Sequence, residues 1–423
     1  MEHPDKRVGA LARVLTRVLE VERERMDADE TGQPNDRSVL DDPQAMDSML
    51  RDLQSRTARV SQERAQAPAL LAELLAMPNQ EREAAVATQP QFQSYSLASY
   101  TLERCEKVVT HDPVMAGELA RLARVIAGQA DPRQCGGSAA LADLEAYATA
   151  MEGNAQRVRN EFRPAHRMFM EARQAQERGG ADPDLSARID LLEASLRRDL
   201  RQFPPALDLL DKAERVFVAL KDRNLQARTL INRATVYLVM RELDRVVENL
   251  QKALPLAQDP WLALAVRHNL IFALAECGRA RDAAELYQES QQLYLQFTDP
   301  LTTSRRIWAE GLIAREIGED LGQAERLLTQ AADRLAEHGY PMDAALAGLD
   351  LVTVYARRGQ ASEVLRVASN LVGMFQMRDM NPEALAALKM VHEAAEHEAV
   401  NLTLLAQVAE KIRASQVRGN PPS

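Results

Sequence analysis

Six times along this chain, a helix-forming stretch carries small or apolar residues at a spacing of four and then three, and the occurrences recur at a nearly constant distance. The triples are Ala165/Phe169/Ala172, Ala206/Leu210/Ala213, Val246/Leu250/Ala253, Ala283/Tyr287/Ser290, Ala324/Leu328/Ala331 and Val364/Ala368/Leu371, and their first residues lie 41, 40, 37, 41 and 40 positions apart. Four-then-three spacing puts three side chains on one face of an α-helix. A fixed period of this length marks stacked supersecondary units, each too small to bury its own apolar face. An irregular helical bundle with accidental alanines has no reason to keep such a period.

Composition agrees with helices throughout. Of the 423 residues 46% are hydrophobic but only 4% aromatic, and alanine, leucine, arginine and glutamate dominate, which suits helices packed through small side chains. The formal charge of −10 disfavours bulk attraction to nucleic acid or an anionic membrane. Cys105, Cys135 and Cys277 are far apart and odd in number, which fits reduced thiols in a cytosol and not a disulfide framework. The first residues lead into an amphipathic stretch, not an apolar secretion signal. Every apolar run is broken by charge well before the roughly 20 residues a bilayer requires. The expectation is a cytoplasmic, bacterial protein with no membrane segment.

The triples resemble the second helix of the tetratricopeptide repeat, which carries small, large and small residues at this spacing. The family also places a small residue about a dozen positions earlier on the first helix, and Gly153, Ala194 and Ala234 each stand 12 before a triple. Tyr237 and Tyr355 occupy the usual aromatic position in two units. The period exceeds the family's 34, and most of its tryptophan and proline signatures are missing. Longer helices account for the extra residues, with loops at 178–183, 258–260, 298–300 and 339–341. The fold this resemblance implies is all-α: a right-handed superhelical solenoid of tetratricopeptide-like hairpins with an N-terminal helical extension.

The expected organisation has five parts. Residues 1–64 form a helical extension or cap, 65–137 divergent helices and a first hairpin, 138–378 the solenoid, 379–415 a capping hairpin and 416–423 a disordered tail. The first hairpin carries Ala116/Ala120/Ala123. In the extension, Val8, Leu11, Leu15 and Val18 stripe one helix and Met46, Met49, Leu53 and Val60 a second. These stripes serve to cover the first hairpins or, alternatively, as a docking or homodimerisation arm.

Bacterial regulators of this architecture often carry a helix-turn-helix before the repeats. Ala28 and Gly32 have the spacing of that motif's turn, but Asp27 and Gln33 stand where it needs apolar residues. Residues 1–64 also hold 11 basic against 14 acidic side chains, where a DNA-reading module should be basic. Nucleic-acid binding is therefore not expected.

Catalytic patterns are absent from the sequence. His392 and His397 are five apart, about 140° around a helix, and cannot share a metal as residues four apart do. There is no Gly-rich loop followed by Lys-Ser/Thr and no G-x-S-x-G. The reading is a non-enzymatic chain without cofactor or metal.

In the repeat family, positions two, five, six, nine and twelve of each unit face the concave groove. Carried over residue by residue, position two gives Arg188, Arg228 and Arg305, and position twelve gives Arg157, Arg198 and Arg315. The others include Asn154, Asn232, His268, Asn269 and Trp308. Arginine forks clamp carboxylates, amides hold extended backbone, and Trp308 offers an apolar anchor. For any single arginine the plainer alternative is a solvated or ion-paired helix face; taken as a stripe, the resemblance implies an adaptor or regulatory scaffold that takes a partner protein or acidic peptide in its groove. The alternatives are a peptide-responsive sensor and a transcription regulator with a degenerate helix-turn-helix. The family's chaperone-binding clamp of particular lysines and asparagines is not reproduced.

Overall fold

The computed structural model describes residues 43–109, 112–135, 137–180, 182–377, 382–397 and 399–416. Among them there are helices and no strands. Residues 8, 11, 15 and 18, the Ala28/Gly32 spacing and the tail lie outside the described residues, as do the side chains of Met46, Met49 and Leu53.

The α-helices are α1 (Pro43–Ala76), α2 (Asn79–Thr88), α3 (Tyr95–Val108), α4 (Pro113–Gln129), α5 (Ser138–Val158), α6 (Phe162–Glu177), α7 (Pro183–Asp199), α8 (Phe203–Ala219) and α9 (Arg223–Met240), followed by α10 (Leu243–Ala253), α11 (Pro260–Glu276), α12 (Ala280–Tyr294), α13 (Pro300–Ile317), α14 (Leu321–Glu337), α15 (Pro341–Arg357), α16 (Ala361–Met377), α17 (Pro382–Glu396) and α18 (Leu402–Gln416). From α3 onward they pair in sequence order as hairpins. α1 runs unbroken through residue 64.

Local chemistry sets the boundaries. Asp112, Asp259 and Asp299 each accept a hydrogen bond from the backbone N–H three residues on, at 2.9 Å, and each is followed by a proline at the first helical position. Aspartate satisfies an orphan donor and proline gives up none that is needed, so Asp-Pro is a compact helix start. Asp222 and Asp320 cap α9 and α14 in the same way without proline. The turns inside hairpins share a second device. A residue with positive φ follows each first helix, at Asn160, Arg201, Arg241, Gly278, Gly318 and Gly359, and so recurs with the period of the triples. A left-handed residue here ends one helix and starts the return.

Every residue of the six triples is buried, none more than 7% exposed. The small residues permit close crossing: a Cβ on Gly311 would lie 2.9 Å from Leu328 Cδ2 and Cγ, and one on Gly153 would lie 2.9 Å from Met168 Cβ. At these two positions the first helix of the hairpin can thus approach the second nearly to backbone contact, the geometry the tetratricopeptide pattern requires.

The chain divides into two compact units, 1–157 with 161–192, and 158–160 with 193–423. In the first, α1 packs on α3 and buries Ala67, Leu71 and Leu74. Ala116, Ala120 and Ala123 of α4 are fully buried, and the Cys105 thiol donates to the Ala116 carbonyl at 3.1 Å. In the second, an apolar core built from α9 to α13 is followed by another from α13 to α18. No described helix is long and apolar enough to cross a membrane.

Candidate functional site

The triples fix which side of each hairpin is consumed by packing. What remains polar on the first helices, α9, α11, α13 and α15 in the second unit, is the candidate binding surface.

On α9, Arg228 is exposed and makes no ion pair among the described residues. Asn232, one turn further, is half-buried, and Asn269 on α11 is exposed; neither amide is hydrogen-bonded among the described residues. His268 is half-buried. Its Nδ1 lies 2.9 Å from the Tyr294 hydroxyl and its ring 4.6 Å from that of Phe272. Burial and the nearby Arg305 guanidinium hold its pKa down to about 3, so the ring is neutral at physiological pH.

The helix α13 is different, because its polar side chains already have partners. Arg305 donates through Nε and Nη2 to Asp343 Oδ2 at 2.9 and 2.7 Å. Trp308 is 5% exposed; its ring meets Phe272 edge to face at 4.8 Å and its Nε1 donates to Asp350 at 2.7 Å. Arg315 is buried between Asp350 and Glu316, and Arg357 donates to the Arg315 carbonyl at 2.7 Å. Asp343 and Asp350 both stand on α15, so the first helix of one hairpin neutralises that of the hairpin before it. Arg198 pairs with the buried Asp199 at 2.8 Å.

In the first unit the candidates also sit in networks. Arg157 Nε donates to the buried Asn154 Oδ1 at 2.9 Å. Arg188 lies 3.0 Å from Asp184 and 3.6 Å from Glu106, whose carboxylate accepts from the Tyr147 hydroxyl at 2.5 Å. Burial works against the Arg188 charge, but Tyr147, Asp184 and Glu106 outweigh it and raise its pKa. Burial first, and then Glu106, raises that of Tyr147.

Of the cationic stripe, then, Arg228 makes no ion pair among the described residues, with Asn232 one turn along the same helix. Arg188, Arg198, Arg305 and Arg315 serve ion pairs within their own units. Sequence reasoning missed the acids that hold Arg305 and Arg315. The signal was there: Asp343 follows Arg305 by 38 positions and Asp350 follows Arg315 by 35, both close to one repeat.

No group of three or more His, Cys, Asp or Glu among the described residues could hold a metal ion. Burial pushes the Cys105 and Cys135 thiols up to about 12, so neither is a ready nucleophile. His397 Nδ1 lies 2.7 Å from the carbonyl of Glu393.

No protein-family model matches the chain, and no curated protein is similar to it in sequence. Solved structures are similar in fold. A Rap protein in complex with competence and sporulation factor superposes with a TM-score of 0.55 at 15% identity, over 75% of this chain and 88% of that one. The apo form of RapI gives 0.52 at 12% identity, over 75% of this chain and 97% of that one. The fold is the all-α, tetratricopeptide-like helical repeat of those proteins.

Proposed function

We propose that the chain is a non-catalytic adaptor or regulator that holds a segment of a partner protein along α9 and α11, with preference for an acidic segment. The observation that carries this reading is Arg228 of α9, without an ion pair among the described residues, with Asn232 one turn further and Asn269 on α11, whose amides are not hydrogen-bonded among the described residues. A guanidinium takes a carboxylate and amides take peptide backbone, and neither pays for a stable core by being left in water. The likeness to a Rap protein solved with competence and sporulation factor supports a regulatory binding role of this kind.

The test is affinity capture from the native cell extract, with the original chain beside Arg228→Glu and beside Asn232→Ala/Asn269→Ala. Arg188 and Arg305 are poor choices because their replacement strands Asp184 and Asp343. A partner held by the original and lost by both variants, with the circular dichroism unchanged, supports the reading. A partner held equally by all three contradicts it.

A further inference from the structure

The inner helices of the second unit change character along the array. Where α9 carries Arg228 and α13 carries Arg305, α15 carries Leu346, and Leu349 follows where α13 has Trp308. From Pro341 to Leu349 every residue of α15 is buried. Its hairpin partner α16 and the preceding α14 account for two sides; α18 packs on it as well.

α18 sits there as an amphipathic helix. Leu405, Val408 and Ile412, at spacings three and four, form one stripe, and all three share a core with Met342, Leu346 and Leu349. Ala406, Gln407 and Lys411, on its other side, are exposed. Asn401 caps its start, accepting from the Leu404 N–H at 2.9 Å. A second attachment lies far away in sequence. Arg241, the left-handed residue that ends α9, lies 3.1 Å from Glu410 and donates to the Ala406 carbonyl at 3.3 Å. That pair is 51% and 34% exposed, where ion pairs hold weakly.

We propose that α18 is a displaceable occupant of the inner face, and that the surface it covers on α15 and at Arg241 receives a partner's amphipathic helix. That helix would carry apolar side chains at i, i+3 and i+7 and an acidic one at i+5, the pattern of Leu405, Val408, Ile412 and Glu410. The inference rests on the first helices of the hairpins being the binding side, as proposed above. It adds that the site is self-occupied and selects a helix at this end. Besides the stripe, Leu404 and Ala409 pack partly buried against the same core and α17 lies against α18, so displacement must free α18 from its hairpin neighbour as well as from α15 and Arg241.

Hydrogen exchange on the full chain tests displacement. The α18 amides should exchange about 100-fold faster than those of α15 while α17 keeps protection similar to α15, and Arg241→Ala should speed α18 by up to about fivefold. If α17 and α18 open together, or α18 opens only with α15, α18 is a permanent part of the core and the proposal fails. A chain ending at residue 399 should bind a synthetic peptide of residues 400–416, at least about tenfold more tightly than the full chain does, and should not bind the same peptide with Val408→Asp. No binding by a truncated chain that retains its circular dichroism also overturns it; if that chain does not fold, the exchange result decides. Peptide binding together with failure of the Arg228 capture test would leave the α18 seat standing and remove the partner reading.

Discussion

Arg305 and Asp343 stand one repeat apart and meet through two hydrogen bonds to a single carboxylate oxygen, at 2.7 and 2.9 Å. Asp343 is 5% exposed, so the pair belongs as much to the stacking of α13 on α15 as to any binding surface. Repeat arrays are held by such nearest-neighbour contacts, and here an arginine expected in the groove is one of them.

Asp343→Ala should therefore lower stability by about 1–2 kcal/mol, the range for stranding a half-buried guanidinium that water can still reach. Urea denaturation measures it. Arg228→Ala, at an exposed arginine without an ion pair among the described residues, should change stability by less than about 0.5 kcal/mol in the same assay.

Two glycines separate packing from propensity. Gly311→Ala places a methyl 2.9 Å from Leu328 Cγ and 3.1 Å from the Leu328 backbone nitrogen, and should cost about 1–3 kcal/mol by overpacking. Gly373→Ala, in α16 with nothing within 4 Å of the added carbon, should stabilise by about 0.5–1 kcal/mol through helix propensity alone. Thermal melts of the two variants should move in opposite directions.

The hairpin turns offer a stabilising change. Arg201 is exposed with φ of 60°, where Gly278 and Gly318 serve the same turn in later repeats with φ of 74° and 76°. A side chain in the left-handed region costs about 1 kcal/mol, so Arg201→Gly should raise stability by up to about that amount, read from the denaturation midpoint.

Much of the fold was legible because its determinants are local. The triples lie within one helix turn or two, and loops at Gln258–Pro260 and Thr298–Pro300 end at the prolines that open α11 and α13. What stayed hidden depends on pairing across repeats. Asp350 stands about one repeat beyond Arg315, but only the packing of α15 on α13 shows that the two meet, and nothing in Asn160, Arg201 or Arg241 announces positive φ, since only glycine advertises it. The seat of α18 on α15 was equally hidden, because Leu346 and Leu349 read as ordinary core residues until the helix that covers them is placed. Arginines were visible as a stripe, but whether each faces a carboxylate is a property of the packed neighbour.

His268 gives the pH dependence a sign. Its folded pKa, about 3, lies below the ordinary value of 6.5, through burial and the Arg305 charge. Between those values the unfolded chain binds a proton that the folded chain does not, so this residue removes stability as pH falls below about 6.5. His268→Gln should abolish that component. The difference in unfolding free energy between variant and original should grow as pH is lowered from 7 to 4, by less than about 1.4 kcal/mol per unit for a ring that is only half-buried.

The most direct measurement is site-specific photo-crosslinking in living cells, with the reactive residue placed at the exposed Asn269 on α11, within the proposed binding face, or at the exposed Gln330 on α14. A partner protein joined from position 269 and not from 330 is the result expected of an adaptor that binds along its inner helices. A partner joined from 330 and not from 269 would contradict it.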